Sequence, residues 1–199
     1  MGKTMISILY IILLLGVATS GAPAQDCSWC GTSEAPDTLS WATTIASLDE
    51  PGERLVVTGT VYQYDGLTTA PDVTIYVYHT NNEGTYPKLG NEKGNGHHHG
   101  YLRGWVRTDS GGRYRFDTIR PAPYFSHGGE PAHIHYTIQP PGKEEYWLNA
   151  AWFADDSRVT DQLVAGLKRQ GGFSNVMAVS CDSLGVWHGR RDIVLEVYE

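Results

Sequence analysis

Apolar and polar residues alternate along several short segments of this chain. Residues 55–64 and 73–78 are rich in valine, isoleucine, threonine and tyrosine, and turn-forming residues separate them. Successive side chains of a strand point to opposite faces, so this pattern predicts strands with one buried face. Similar segments follow at residues 105–108, 114–118, 133–139, 147–153 and 193–198. The predicted fold class is mainly β, a single antiparallel β-sandwich with long loops and one short helix.

The short helix is predicted at residues 157–170. Apolar residues recur there at helical spacing, namely Val159, Leu163, Val164 and Leu167, and two glycines end the run. In contrast, residues 87–100 contain four glycines and three consecutive histidines, His97, His98 and His99, without any strand periodicity. We predict a long loop for this segment, with the three histidines exposed to solvent. The alternatives are that they bind adventitious metal or reach the mouth of a pocket.

The N-terminus has the pattern of a secretory signal peptide. Lys3 is followed by an apolar run at residues 6–17 and by the small-residue sequence Ala22-Pro23-Ala24. We therefore predict a signal peptide at residues 1–24, for which an uncleaved anchor is the alternative. An N-terminal arm at residues 25–50 that packs through Trp29 and Trp41 and a β-sandwich domain at residues 51–199 are predicted to follow. The expected location is the periplasm or the extracellular space, with no membrane partner after cleavage.

The net charge of the chain limits the classes of partner that it is expected to bind. The chain has 22 acidic and 15 basic residues, a formal net charge of −7. Nucleic acid and anionic membrane surfaces are therefore excluded as expected partners.

The three cysteines indicate one disulfide in an exported protein. Cys27, Cys30 and Cys181 cannot all pair within one chain. Either Cys27 pairs with Cys30, or one of them pairs with Cys181, and the sequence leaves both possibilities open.

Two histidines one residue apart suggest half of a metal site. His133 and His135 lie on a predicted strand, where they project on the same side about 6.6 Å apart at about 3.3 Å per residue. Ile134 then points into the core. A histidine pair alone suits several transition metals. Tyr124, nine residues before His133, makes the pattern more specific, because tyrosinate is a hard anionic donor that favours ferric iron.

The sequence around these residues resembles the intradiol ring-cleavage dioxygenases, a family that includes enzymes acting on catechol and protocatechuate. The resemblance runs from residue 104 through the second tyrosine, Tyr124, and continues in the Pro-Ala-His-Ile-His sequence at residues 131–135. Upstream, residues 78–86 resemble the strand and turn that deliver the family's first tyrosine, here Tyr86. The resemblance spans roughly residues 55–156 and includes all four metal-ligand positions.

The resemblance implies a non-haem Fe(III) enzyme of aromatic compound catabolism. Its iron would be held by Tyr86, Tyr124, His133 and His135. Its substrates would be O2 and a catecholic compound, whose ring is cleaved between the two hydroxyl-bearing carbons to give a muconate-type diacid. The family mechanism further assigns Tyr124 a catalytic role, because this tyrosine leaves the metal and accepts a substrate proton.

Two departures from the family pattern keep other functions open. Members that cleave catechol or protocatechuate usually have an arginine where this chain has Glu130, and a glutamine near the position of Ala150. Arg103, Arg107 or Arg120 would have to replace the missing positive charge. The alternatives are a non-catalytic β-sandwich that binds a metal or a phenolic ligand, and a metal-free interaction module. Which catechol is cleaved, and the oligomeric state, are left open.

Overall fold

The computed structural model describes residue 27 and residues 29–124, 129–167 and 171–196. The predicted signal peptide, the first residues of the arm and the C-terminal ends of the predicted helix and last strand lie outside the described residues. So does His127, which its place in the sequence between Tyr124 and His133 makes a candidate acid-base residue. In the described part of the chain, no helix is both long and apolar enough to cross a membrane.

The strands of the described residues form two sheets. The first sheet contains Ala42–Thr44 (β1), Arg54–Tyr62 (β2), Arg113–Ile119 (β5), Val179–Cys181 (β9), Trp187–Arg190 (β10) and Ile193–Val194 (β11). The second contains Thr74–His79 (β3), Arg103–Arg107 (β4), His133–Gln139 (β6), Tyr146–Phe153 (β7) and Val176–Met177 (β8). The strand orders are β1-β5-β2-β10-β9, with β11 also paired to β2, and β4-β3-β6-β7-β8.

The predicted mainly-β fold is confirmed, but the sheets are mixed rather than wholly antiparallel. The pairs β2–β5, β3–β4, β3–β6, β6–β7 and β9–β10 are antiparallel. The pairs β1–β5, β2–β10, β2–β11 and β7–β8 are parallel. Parallel neighbours need a long crossover connection, and each of these pairs joins strands that are far apart in the chain.

One hydrophobic core lies between the inner faces of the two sheets. Val57 and Phe116 of the first sheet and Ile75 and Ile134 of the second are completely buried in the same cluster. Alternation along β3 and β6 therefore assigns their intervening side chains to the outer face of the second sheet. This outer face carries the histidine pair.

The helical segments differ from the prediction. The helix in the predicted segment, Asp161–Ala165 (α2), is shorter than expected. It begins at Asp161 because Thr160 caps its N-terminus by accepting a hydrogen bond from the Leu163 amide, and Gly166 is its C-cap residue. The loop prediction for residues 87–100 was incomplete, because Gly96–His99 (α1) is helical. A 3₁₀ turn at Thr32–Glu34 adds a further helical segment, so the described residues contain more than one short helix.

The N-terminal arm is bound to the outer face of the second sheet. Cys27 pairs with Cys30, which resolves the two possible pairings and leaves Cys181 free and exposed. The Glu145 carboxylate accepts hydrogen bonds from the Gly31 amide at 2.9 Å, from the Thr32 amide and hydroxyl, and from the Thr137 hydroxyl of β6. The arm is thus attached close to the strand that carries the histidines.

Candidate metal centre

His133 and His135 project from the same face of β6. Ile134 between them is completely buried in the core, as predicted. The Nε2 atoms of the two histidines are 3.0 Å apart. His133 Nδ1 lies 2.7 Å from the Pro131 carbonyl oxygen. Since a carbonyl only accepts, Nδ1 carries the proton and donates it, which leaves the Nε2 lone pair of His133 directed at the site.

A compact turn presents Tyr86 to the same face. The Asn81 side-chain oxygen accepts hydrogen bonds from the amides of Glu83 and Thr85, each at 3.0 Å, and from the Thr85 hydroxyl. Gly84 completes the turn with a φ of 76°, a left-handed conformation that glycine adopts without strain. The chain leaves this turn directly at Tyr86.

Tyr124 is brought to Tyr86 by hydrogen bonds between two loops. The Ala122 amide donates to the Asn81 carbonyl at 3.0 Å, and the Thr80 hydroxyl donates to the Ala122 carbonyl at 2.6 Å. The phenol oxygens of Tyr86 and Tyr124 are 2.7 Å apart as a result. The Tyr124 oxygen is also 2.9 Å from His135 Nε2.

The four side chains converge in a way that fits one metal ion. Consecutive donor atoms are separated by 2.7, 2.9 and 3.0 Å, in the order Tyr86, Tyr124, His135 and His133. First-row metals bind nitrogen and oxygen at about 2.0–2.2 Å, which puts donors at right angles about 3 Å apart. No group of three or more His, Cys, Asp or Glu side chains in the described ranges could hold a metal.

The pKa shifts of Tyr86, Tyr124 and His135 favour the neutral form of each side chain. Burial raises the pKa of Tyr86, and the Tyr124 hydrogen bond and the nearby Glu130 charge raise it further. Burial also raises the pKa of Tyr124. For His135, burial lowers the pKa well below its ordinary value, with a further contribution from His133. The histidine is thus ready to donate a lone pair, whereas both tyrosines need a cation to stabilise their phenolates.

Two aromatic residues beside the cluster were not recognised from the sequence as part of the site. The ring of Tyr78, on β3, stacks on His135 with a centroid separation of 4.4 Å. His99 of α1 was predicted to be exposed, but it is buried and stacks on Tyr78 at 3.6 Å. His97 and His98 are exposed as predicted. The contact between Tyr78 and His135 depends on the pairing register of β3 and β6. The sequence pattern alone does not give that register.

Two of the three arginines considered as substitutes for the missing family arginine are engaged elsewhere. Arg103 forms an ion pair with Glu34 at 2.6 Å, and Arg120 forms one with Asp155. Arg107 is exposed at the end of β4. Glu130 is itself exposed and close enough to Tyr86 and Tyr124 to raise the pKa of both.

Sequence comparisons identify similar proteins. A family model described as Dioxygenase matches residues 33–195. Catechol 1,2-dioxygenase from Acinetobacter baylyi is 29% identical over 124 residues, covering 54% of this chain and 39% of that protein. Chlorocatechol 1,2-dioxygenase from Cupriavidus pinatubonensis is 31% identical over 122 residues, covering 51% of this chain and 46% of that protein. The alignments thus span less than half the length of these two relatives.

Solved structures share the fold. The dioxygenase domain of a dioxygenase and carbohydrate-binding fusion protein from Streptomyces sp. SirexAA-E aligns with a TM-score of 0.62 and 24% identity, covering 82% of this chain and 92% of that domain. Catechol 1,2-dioxygenase from Acinetobacter sp. ADP1 aligns with a TM-score of 0.61 and 23% identity, covering 81% of this chain and 59% of that chain. Together with the family model, which matches most of the chain, these findings show that the protein belongs to the intradiol ring-cleavage dioxygenase family.

Proposed function

We propose that this protein is an Fe(III)-dependent dioxygenase that uses O2 to cleave a catecholic ring between its two hydroxyl-bearing carbons, giving a muconate-type diacid. The observation that carries the proposal is the convergence of Tyr86, Tyr124, His135 and His133, with donor atoms 2.7–3.0 Å from their neighbours. Two phenolates and two neutral imidazoles are a donor set suited to a hard trivalent ion. Family membership supports the same assignment.

Hydrogen bonds position three of the four proposed ligand residues. The Nδ1 hydrogen bond of His133 to Pro131 fixes the tautomer that exposes Nε2. Tyr86 is held by the Asn81 turn, and Tyr124 by the hydrogen bonds of Ala122 to the same loop. When bound, the ferric ion supplies Lewis acidity and a template for a vicinal diol.

Tyr124 is the residue to which we assign proton transfer. A catechol that binds through both hydroxyls loses two protons, so an acceptor close to the metal is required: the Tyr124 phenolate would take one proton and solvent water the other. Tyr124 extends from a segment without regular secondary structure, whereas both histidines are fixed on a strand. Its phenol oxygen touches both Tyr86 and His135, which puts it at the centre of the donor cluster.

Glu130 favours a second candidate function, a non-catalytic protein that binds iron and a phenolic ligand. Its carboxylate adds negative charge close to Tyr86 and Tyr124. Negative charge there opposes the build-up of charge on an activated ring. The two functions differ in oxygen consumption, since a binding protein takes up the ligand without using O2.

The experiment is to load the purified protein with Fe(III) and record its visible spectrum with an oxygen electrode running, before and after adding 4-substituted catechols. We expect a tyrosinate-to-iron charge-transfer band that shifts with catechol, and oxygen uptake. Tyr86→Phe, Tyr124→Phe, His133→Ala and His135→Ala should each lower iron content or abolish turnover. Tyr64→Phe and His188→Ala are matched controls, because both side chains are exposed and neither belongs to the donor cluster.

Three outcomes separate the candidate functions. A band with oxygen uptake supports the dioxygenase. A band that shifts with catechol but without oxygen uptake for any catechol supports the binding protein. Full iron occupancy and activity in all four ligand variants would contradict both.

We also propose that the protein is exported. The signal-like sequence at residues 1–24 supports this, and so does the Cys27–Cys30 disulfide, because disulfides persist in oxidising compartments. N-terminal sequencing of the protein recovered from a secreting host should find Gln25 as the first residue. An uncleaved protein retained in the cytosol would contradict export.

A further inference from the structure

The Tyr78 ring lies between two histidine rings. It stacks on His135 with a centroid separation of 4.4 Å and an interplanar angle of 13°. It stacks on His99 with a separation of 3.6 Å and an angle of 5°. Two rings cannot occupy the same face of a third ring at these distances, so His99 and His135 cover opposite faces of Tyr78.

The β-sheet register places Tyr78 against His135. Tyr78 of β3 and His135 of β6 are direct cross-strand partners in the antiparallel pair. Side chains at directly opposed positions have Cβ atoms about 4.5–5.5 Å apart, which brings rings into contact. The contact is therefore built into the sheet.

His99 is fixed on the other side of Tyr78 by α1 and the arm. Its Nδ1 lies 2.7 Å from the Tyr76 hydroxyl. The residue before α1, Asn95, donates its side-chain amide to the Cys30 carbonyl and its backbone amide to Glu34. The Trp29 ring of the arm packs edge-on against His98 at 4.4 Å. Contacts of α1 and of the N-terminal arm thus hold His99 against Tyr78.

The two candidate histidine ligands differ in how their rings are oriented. His133 donates its Nδ1 proton to the Pro131 carbonyl, the kind of hydrogen bond that commonly orients a metal-binding imidazole. Both hydrogen-bond contacts of His135 use Nε2, and its Nδ1 has no protein partner in the ranges that the structure describes. The ring contacts of His135 in the described ranges are the parallel stack with Tyr78 and edge contacts with His133 and Trp147, and the Tyr78 stack is the one that lies along the plane of the imidazole.

We infer that the stack of His99 and Tyr78 replaces this hydrogen bond and that both are positioning residues for His135. The inference rests on the proposed function, in which His135 binds the metal. Stacking fixes the plane of the imidazole and hence the direction in which Nε2 points. Neither Tyr78 nor His99 is a metal ligand in this arrangement. Both residues act on the metal site by orienting the His135 ring.

The test compares variants that keep or remove the stacked ring. Tyr78→Phe keeps the ring, whereas Tyr78→Leu removes it. His99→Ala removes the outer ring through a change on a four-residue helix outside the sheet, so it remains informative if Tyr78→Leu fails to fold. The readouts are the apparent Kd for Fe(III) by chelator competition, the position of the charge-transfer band, and the thermal midpoint of the metal-free protein.

We expect Tyr78→Leu and His99→Ala to weaken iron binding about tenfold or more and to shift the band, as loss of an orienting contact does at other metal sites. Tyr78→Phe should stay within about twofold of the parent. If both ring-removing variants lower only the thermal midpoint, with the parent band and Kd unchanged, the role of the stack is merely structural and the inference is wrong. A parent protein without any charge-transfer band would instead overturn the proposed function.

Discussion

The phenol oxygens of Tyr86 and Tyr124 are 2.7 Å apart, although 38 residues separate them in the chain. Neither tyrosine lies on a strand. Their contact depends on hydrogen bonds made by the preceding residues, in which Asn81 closes the turn before Tyr86 and accepts the Ala122 amide near Tyr124. The geometry of the site is therefore sensitive to residues that do not belong to it.

We predict that Asn81→Ala weakens iron binding without removing a ligand. The substitution deletes an acceptor that serves two backbone amides and one hydroxyl, so Tyr86 loses its fixed position. We expect about tenfold weaker Fe(III) binding and a loss of about 1–2 kcal/mol in the free energy of unfolding. Asn82→Ala is the matched control, because Asn82 is the exposed neighbour. Equal iron affinity in both variants would contradict the prediction.

A second prediction concerns acid sensitivity. His79 is completely buried, and burial lowers its pKa to about 4 from an ordinary value near 6.5. Between these values the unfolded state binds the proton more readily, so His79 contributes stability above pH 6.5 that is lost as the pH falls towards 4. The loss is at most about 3 kcal/mol, at about 1.4 kcal/mol per pKa unit.

Urea unfolding of the metal-free protein at several pH values measures this contribution. His79→Gln should unfold more readily than the parent at pH 7.5. The difference between the two proteins should shrink by about 2–3 kcal/mol at pH 4.5, since only the parent loses the contribution. The control is His97→Gln, which alters an exposed histidine. A difference that stays constant with pH would show that His79 protonation is not linked to unfolding.

Removal of the Glu130 charge is expected to raise turnover. Glu130 is exposed, and its charge raises the pKa of Tyr86 and Tyr124. An exposed charge contributes below about 1 kcal/mol, so Glu130→Gln should increase kcat/KM for a catechol about two- to fivefold.

Oxygen uptake at low and high salt checks this effect, which should shrink as ionic strength rises. Glu144→Gln, also an exposed carboxylate, should leave turnover unchanged. A decrease in turnover for Glu130→Gln would instead indicate that the carboxylate assists the reaction.

The cysteines give a prediction that is independent of the metal. Cys27 and Cys30 are paired and Cys181 is free and exposed, so the native protein should react with one equivalent of a thiol reagent. Three equivalents are expected after reduction and unfolding. No reactive thiol in the native state would indicate that Cys181 is paired with another molecule.

Much of the sheet structure could be predicted because long strands carry a clear pattern. β2, β3, β5, β6 and β7 each contain at least 6 residues, and all five were predicted within a few residues of their ends. β1, β8 and β9 contain 2 or 3 residues, too few for alternation to stand out in the sequence. These segments are strands because they pair with longer neighbouring strands. That pairing cannot be predicted from the sequence of the short segment itself.

The candidate ligands could also be identified, but not the residues that orient them. Spacing on one strand was sufficient to put His133 and His135 on the same face. The stack of His99 on Tyr78 depends on α1. No sequence pattern predicts this helix, because Gly96–His99 is a single turn in a glycine-rich segment. Tertiary contacts of the arm hold that turn, so the sequence indicated only an exposed loop.

The donor cluster and the hydrophobic core occupy opposite faces of the second sheet. Ile134 belongs to the core, whereas His133 and His135 do not. The donor cluster and the core therefore share the backbone of β6 but no side chains. Mutations that erase the chemistry can therefore accumulate without unfolding the protein. The metal site can thus be lost in evolution while the sandwich is retained.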